Sequence, residues 1–398
     1  MAAEKCIGEG TRITSIGDWS DSLEVLHSQI ARHFTRAELR ERVRRYLGAL
    51  LDRVERKNGW QLAEAIGDVG PQGVQRLLNN AKWDADPVRD DLREYIVEHL
   101  ADERSGLLIV DETGFLKKGQ KSVGVARQYT GTAGETVNCQ VGVFLAYASK
   151  RGMAFVDRAL YLPKEWTEDP ARCTEAGVPE TIRFATKIGL AKRMLKRAFE
   201  ADVPAKWVVA DSFYGRSHGF RHWLEKRGRS YAVMVPKTNA VRYQGRRKKI
   251  GQLIECLPEE AWTPVPTEEV SNGKRSREWV CLVLSQNSRK GMRRWLLGRR
   301  SRDDPDDLAF YQAYGPQEAP VEELVGVCQA RWAVEEGFAE AKGEVGLDHY
   351  EVRKWEAWHR YVTLSLLAHA YLAVTRSFAG SEKEEAGGKR GIAILLLS

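Results

Sequence analysis

The spacing of apolar residues predicts that the chain begins with a helical region. From Leu39 to Val54, apolar side chains recur every three or four positions, which is typical of a helix with one buried stripe. Thr35 and Glu38 have the spacing of a capping box, and Phe34 could form a hydrophobic staple with Leu39. We therefore expect an amphipathic helix to begin at this point.

Two shorter helices are predicted after this first one. They cover 60–66 and 71–80, with a turn between them and Pro71 at the first position of the second helix. The outline suits a helix-turn-helix as well as a plain helical bundle, and the pattern does not decide between them. In a helix-turn-helix, the side chains able to reach base edges or phosphates would be Gln72, Gln75, Arg76, Asn79 and Lys82.

The pattern changes after residue 105. The run from Gly106 to Val110 is continuously apolar and is followed by Asp111, as expected for a strand buried on both faces. Further strands are predicted at 122–129, 137–148, 153–162, 206–211 and 231–235, with helices over 180–200 and 219–226. Successive strands followed by alternating helix and strand indicate an α/β (α+β) fold with a mixed sheet flanked by helices.

The last part of the chain combines a basic segment with two long helices. Short β-like runs with a basic cluster predict a β-rich insertion, and helices are expected over 321–343 and 355–376. We expect the charged tail to be mobile, and the apolar run 392–397 to pack somewhere or to mark a truncation. The expected divisions are a helical domain at 1–104, two core segments at 105–237 and 318–380, the insertion at 238–317 and a tail at 381–398.

Composition and charge agree with a folded protein that binds a polyanion. The 398 residues are 43% hydrophobic, and 62 basic against 55 acidic side chains give a net charge of +7. This excess suits nucleic acid but is common among other proteins. The six cysteines have no spacing typical of zinc ligands, so we expect reduced thiols and a cytoplasmic protein. The apolar run 362–374 is too short to span a membrane and predicts a buried helix instead.

Two aspartates are candidates for chemistry on phosphodiesters. Asp111 and Asp211 each follow an apolar strand, and neighbouring strands would bring the two carboxylates together. Cleavage assisted by two metal ions needs carboxylates that converge on ions roughly 3.5–4 Å apart, and Mg²⁺ prefers such oxygen ligands. Because side chains alternate along a strand, only one of Asp111 and Glu112 is expected to join Asp211, and we choose Asp111. The alternative for each aspartate alone is a turn-capping role.

A third carboxylate is expected on the helix that contains residues 331–342. At ~100° per residue, Arg331, Glu335 and Lys342 share one flank of this helix, whereas Glu336 and Glu340 project the other way. The apolar stripe beside that flank consists of Val334, Phe338, Ala341 and Val345. Glu335 could therefore face the site, with Arg331 and Lys342 placed to meet phosphate oxygens. The alternative is a solvated salt bridge between Arg331 and Glu335.

These motifs resemble those of the DDE transposases of bacterial insertion sequences. The resemblance covers roughly residues 25–376 and rests on Leu-Ile-Val-Asp111-Glu-Thr-Gly, Val-Val-Ala-Asp211-Ser-Phe-Tyr-Gly and the run from Arg331 through Glu335 to Lys342. The related motif usually has Tyr three residues before the Arg, where this chain has Cys328. The chain therefore resembles a neighbouring branch of this superfamily, close to the insertion sequence 701 family.

The resemblance implies an RNase H-like core and a metal-dependent enzyme. Asp111, Asp211 and Glu335 would hold two Mg²⁺ ions, with Mn²⁺ as a substitute, for DNA cutting and strand transfer. Implied partners are double-stranded DNA of the terminal repeats and the target, and a second copy of the chain in a synaptic homodimer near the nucleoid. Sequence-independent contacts to DNA would come from Arg246, Arg247, Lys248 and Lys249. The alternatives are an RNase H-like nuclease without strand transfer and an inactive relic that only binds DNA.

Overall fold

The N-terminal region is helical, as the apolar spacing predicts. The computed structural model describes residues 16–264, 277–284, 289–301, 303–304 and 307–386. The first five helices are α1 (Ile16–Ile30), α2 (Ala37–Leu51), α3 (Gly59–Ala65), α4 (Gln72–Asn79) and α5 (Ala85–Leu100). Asn58 caps α3 by accepting hydrogen bonds from two backbone amides. The capping box predicted at Thr35 is wrong, because α2 begins one residue later, after Arg36, which makes no side-chain cap.

One large mixed sheet forms the centre of the molecule. Its strands are β1 (Leu107–Leu116), β2 (Ala126–Thr130), β3 (Glu135–Ser149), β4 (Gly152–Leu160), β5 (Trp207–Ala210), β6 (Ser230–Met234), β9 (Thr263–Pro264), β10 (Arg277–Val283), β11 (Met292–Ser301) and β12 (Leu308–Pro316). The strand order is β2-β3-β1-β5-β6-β12-β11-β10-β9, and β4 pairs with β3. β1, β5 and β6 are parallel to one another, and the other pairs are antiparallel. This sheet and its flanking helices confirm the expected RNase H-like fold.

The strand that contains Asp111 is longer than predicted. Its parallel pairing with β5 stops at Val110 opposite Ala210, but its antiparallel pairing with β3 continues to Leu116. Asp111 therefore lies within β1 and not at its end. The long partner strand β3 supplies hydrogen bonds beyond the point where the parallel neighbour stops.

Short helices connect the strands. They are α6 (Lys164–Thr167), α7 (Pro170–Glu175), α8 (Lys187–Glu200), α9 (Ser212–Gly215), α10 (His218–Lys226) and α11 (Ile250–Glu255). The helix predicted over 180–200 thus begins seven residues later, where Thr186 caps α8 through the amide of Gly189.

The β-rich segment 238–317 continues the central sheet. Strand β12 pairs with β6, and β11, β10 and β9 follow it outward. A separate two-stranded hairpin is formed by β7 (Ala240–Tyr243) and β8 (Arg246–Lys249). Part of the predicted insertion is therefore built onto the core by backbone hydrogen bonds, and the domain boundaries stay predictions.

The C-terminal helices cover one side of the sheet. The helix predicted over 321–343 is interrupted, giving α12 (Val321–Gln329) and α13 (Trp332–Val345). The last helix, α14, extends from Trp355 to Ala386 and packs against β4 and α5. The predicted tail lies outside the described residues from 387 onward.

The apolar part of α14 is a core helix. The stretch Trp355–Ala379 is long and apolar enough to cross a membrane, but 72% of its most apolar window is buried inside the molecule. Val362, Leu364, Leu366 and Leu367 have no exposed surface. The prediction of a buried helix over 362–374 is therefore confirmed.

Candidate active site

Asp111 and Asp211 lie next to each other in the sheet. Each is the first residue after the paired stretch that joins β1 to β5 in parallel. Neighbouring strands are about 4.8 Å apart, so the two carboxylates belong to adjacent backbones at one edge of this pairing. Asp211 also caps α9, since its Oδ1 accepts hydrogen bonds from the amides of Phe213 and Tyr214 at 2.9 and 3.3 Å. The capping alternative for Asp211 is thus true, and it does not exclude a second role.

The electrostatics of this pair favour a bound cation. Burial, followed by the charge of Asp211, raises the pKa of Asp111 to about 8. Burial also raises the pKa of Asp211, and the nearby charge of Glu112 adds to the effect. Buried carboxylates have raised pKa values when the positive charge around them is too small to stabilise their ionised form. A divalent cation would supply that charge, so this pair of carboxylates offers two ligands to a metal ion.

Glu112 is a nearby carboxylate outside the predicted ligand set. Its side chain contacts groups from α8 and α9. Its Oε1 accepts a hydrogen bond from Lys187 Nζ of α8 at 2.9 Å, and its Oε2 accepts one from the hydroxyl of the buried Tyr214. Its charge nevertheless contributes to the raised pKa of both aspartates. The signal available in the sequence was the position of Tyr214 three residues after Asp211.

Glu335 is exposed and paired with Arg331. Arg331 Nη1 donates to Glu335 Oε1 at 2.6 Å, and 42% of the Glu335 side chain is exposed. This is the salt bridge weighed as the alternative. Among the residues that the structure describes, no three His, Cys, Asp or Glu side chains form a group able to hold a metal. Asp111 and Asp211 are brought together, and Glu335 is not brought into their group.

Arg331 and Lys342 both point toward the sheet. The positive charge of Arg331 counteracts the raised pKa of both Asp111 and Asp211, so its guanidinium lies near them. Lys342 Nζ donates to Thr113 Oγ1 at 2.9 Å, and Thr113 is on the same face of β1 as Asp111. Burial lowers the pKa of Lys342. Arg331 thus lies near both aspartates and Lys342 contacts a neighbouring residue of β1, and the binding of phosphate by these two side chains stays a prediction.

The opposite flank of α13 faces the last helix. Glu340 forms an ion pair with Arg376 of α14 at 2.7 Å and lies 3.7 Å from His369. The apolar stripe is as expected, with Val334, Ala341 and Val345 having no exposed surface. Helix α14 thus covers a face that the isolated helix would leave open.

The tryptophans and Cys328 divide between core and surface. Trp295 is buried and Trp355 packs partly against the core. Trp332 is 44% exposed beside Arg331. Cys328 is buried in α12.

The residues predicted to contact DNA are accessible. Gln72, Gln75, Arg76 and Lys82 are exposed and Asn79 is half-buried, on or just after α4. All four basic residues of β8, Arg246, Arg247, Lys248 and Lys249, are exposed on the hairpin. Arg76 and Lys82 line a cavity of about 420 Å³ together with Arg36 and Arg42. These exposed side chains can contact DNA, and their role in binding it stays a prediction.

Comparison with known proteins gives two matching families and one relative. Residues 29–251 match the family described as DDE superfamily endonuclease, and residues 185–371 match the transposase DDE domain. The chain is 27% identical over 312 residues to the "Probable transposase for insertion sequence element IS701" of Microchaete diplosiphon. That alignment covers 77% of this chain and 76% of the relative. Asp111 and Asp211 lie within the first family match, and Glu335 lies within the second.

Proposed function

Because the chain belongs to the DDE superfamily of endonucleases, we propose that it cuts DNA at the ends of an insertion sequence and joins those ends to target DNA. The chain is a DDE transposase, an enzyme that acts on DNA and depends on a divalent metal ion. Cleavage at the element ends, strand transfer, the residues that carry out these steps and the use of Mg²⁺ are what we propose.

The observation that supports this proposal most directly is the adjacent pair of aspartates. Asp111 and Asp211 follow the last paired residues of two parallel strands, and burial raises the pKa of both. Mg²⁺ is commonly held by one or two carboxylates together with waters and substrate phosphates. Two protein carboxylates are therefore enough to begin the site, with Mn²⁺ as an alternative ion.

Glu335 is proposed as the third ligand because of its position between two anchored residues. Arg331 is four residues before it and lies near the aspartates, and Lys342 is seven residues after it and contacts Thr113 on β1. At ~100° per residue the three share one flank of the helix, which supports placing Glu335 near the same face of β1. In this proposal the side chain of Glu335 turns away from Arg331 to reach the metal, and the buried guanidinium of Arg331 then pairs with phosphate instead.

In this proposal the protein supplies ligands, charge and orientation. When bound, two divalent ions would activate the attacking oxygen and stabilise the leaving oxygen. Asp111 and Asp211 hold fixed positions on the sheet, and Glu335 completes the ligand set. Arg331 and Lys342 bind phosphate oxygens and orient the strand, which is consistent with the unpartnered Nε of Arg331 among the described residues. Because the 3′-hydroxyl released by cleavage stays near the same carboxylates, it is positioned to attack target DNA.

The remaining surfaces are proposed to hold DNA. The exposed residues of α4 would contact the terminal repeat, and the β8 hairpin would add affinity for any sequence by neutralising phosphates. Synapsis of two ends implies a homodimer, and DNA binding implies a nucleoid-associated location in the cytoplasm. These statements follow from the proposed function.

The decisive experiment compares acidic variants in a cleavage and joining assay. Asp111→Asn, Asp211→Asn and Glu335→Gln are each expected to lose cleavage of DNA that carries the flanking terminal repeats, and to keep binding it. Glu336→Gln is the matched control, because this neighbouring glutamate is also exposed but on the other side of α13. Cleavage by Glu335→Gln at the level of Glu336→Gln would remove Glu335 from the site. Cleavage by the unmodified protein without joined products would leave a nuclease that lacks strand transfer.

A further inference from the structure

A second basic cavity lies at the free edge of β4, beside α5, α8 and the start of α14. It has a volume of about 140 Å³. The groups that define its chemistry are Arg89, Arg158, Arg183, Arg193, Arg197 and His359. Asp86 is the acidic residue among the side chains that line it in the described chain. None of these arginines belongs to the candidate active site.

Arg158 is the most buried of the arginines that line this cavity. Only 2% of the residue is exposed. Its Nε donates to Thr363 Oγ1 at 2.9 Å, and its Nη1 donates to Asp86 Oδ1 at 2.8 Å. Its Nη2 is buried and has no hydrogen-bond partner within the described ranges. A buried guanidinium nitrogen with unused N–H groups is unfavourable unless an acceptor enters the cavity.

Among the described residues, nearby acids form ion pairs only with Arg89, Arg158 and Arg197, the less exposed arginines of the cavity. Asp157 pairs with Arg89 and Arg197, at 3.5 and 2.9 Å, and Asp86 pairs with Arg158. The exposed Arg183 and Arg193 line the rim, and neither forms an ion pair in the part of the chain that the structure describes. The rim therefore adds positive charge that the protein itself does not balance.

The remaining polar group does not add charge. His359 Nδ1 lies 2.9 Å from the carbonyl of Trp355, so Nδ1 donates that hydrogen bond. Burial, together with the charge of Arg158, lowers the pKa of His359 to about 3. The imidazole is therefore neutral at physiological pH. The positive potential of the cavity comes from its arginines alone.

We propose that this cavity binds a phosphate group. A phosphate offers several acceptor oxygens to the two unused donors of Arg158 Nη2 and to the rim guanidiniums, a geometry in which arginine is especially effective. The register places Arg158 opposite Phe144, which is itself opposite Asp111. The cavity is thus two strands away from Asp111, or roughly 10 Å in the sheet. The phosphate could be a DNA phosphodiester or a free ion, and the site does not depend on the catalytic assignment.

Thermal unfolding of the full chain in sodium phosphate tests the site. Phosphate is expected to raise the melting temperature with saturation, beyond the effect of sodium chloride at equal ionic strength. Arg193→Gln and Arg183→Gln should each weaken the apparent affinity roughly five-fold, because each removes one charged donor from an exposed rim position. Lys196→Gln is the matched control, since it removes one positive charge from the exposed face of α8 outside the cavity. Equal responses from the three variants, or none beyond chloride, would overturn the proposal.

DNA binding by the same variants identifies the source of the phosphate. If it is a phosphodiester, Arg193→Gln should reduce the slope of log affinity against log salt by about one relative to Lys196→Gln. If it is a free ion, the two variants should bind DNA equally. Asp111→Asn serves to separate this proposal from the previous one, because loss of cleavage in that variant should leave the phosphate response unchanged.

Discussion

The carboxylates of Asp111 and Asp211 are costly for the metal-free protein. Burial and mutual repulsion raise the pKa of Asp111 to about 8, far above its unfolded value of about 3.9. Between these two values the folded state binds a proton that the unfolded state does not. The stability from this group is therefore present at about pH 4 and is lost as the pH rises through about 8.

Replacing Asp111 with Asn should remove this pH dependence. In EDTA at about pH 8, Asp111→Asn is expected to melt at a higher temperature than the unmodified protein, because the variant no longer buries a charge. Added Mg²⁺ should stabilise the unmodified protein and not the variant. Thermal melts across this pH range measure both effects, with the exposed Glu103→Gln as control. Parallel pH profiles for Asp111→Asn and the unmodified protein would contradict the assigned charge state.

At the scale of elements, the short helix α9 fixes the position of Asp211. It starts directly after Asp211 and ends at Gly215, whose backbone lies against β6. A Cβ atom added at Gly215 would be 1.8 Å from the carbonyl oxygen of Met234. Backbone atoms cannot move aside as a flexible side chain can. The packing of α9 against β6 therefore requires glycine at position 215, because the two backbones approach closely there.

Gly215→Ala should consequently disturb both stability and activity. We expect a loss of at least roughly 1–3 kcal/mol in the free energy of unfolding, together with loss of cleavage, since α9 must shift away from β6. Gly343→Ala is the matched control within α13, where an added Cβ meets nothing within 4 Å. It should stabilise the protein by roughly 0.5–1 kcal/mol, because alanine favours a helix interior. Urea unfolding distinguishes the two variants. An unchanged free energy of unfolding in Gly215→Ala would show that Gly215 does not pack tightly against Met234.

At the scale of the whole molecule, the protein has a net positive charge and carries an exposed basic hairpin. The net charge is +7, and the four basic residues of β8 are consecutive and exposed. Such charges release counterions from DNA when they bind phosphates, which makes affinity depend on salt. The hairpin stands apart from the central sheet, so its charges can change without altering the core.

Changing all four residues of β8 to Gln should weaken DNA binding regardless of sequence. The slope of log affinity against log salt is expected to fall by up to about four, because each basic residue can neutralise one phosphate. Fluorescence anisotropy over a salt series gives this slope for terminal-repeat and unrelated duplexes. An unchanged slope, or a loss confined to the terminal repeat, would rule out a sequence-independent role for the hairpin.

Local patterns were sufficient for much of the fold. The continuous apolar run before Asp111 predicts a buried strand, the spacing over 362–374 predicts a buried helix, and the alternation of elements predicts a mixed sheet. Each of these depends on residues that are close in sequence, because periodicity records which face of one element is buried. The juxtaposition of Asp111 and Asp211 was predictable too, since each directly follows a continuously apolar run that predicts a buried strand.

Contacts between distant residues decided the rest. The continuation of β1 beyond Asp111 depends on β3, the ion pairs of Glu340 depend on α14, and Glu112 is held by side chains from α8 and α9. The extension of the sheet by β12 likewise required a partner strand from another part of the chain. The sequence by itself thus determined which segments are strands or helices and which acids were available. Only the tertiary structure decided which groups meet, because hydrogen bonds and charges act over short distances in space and without regard to separation along the chain.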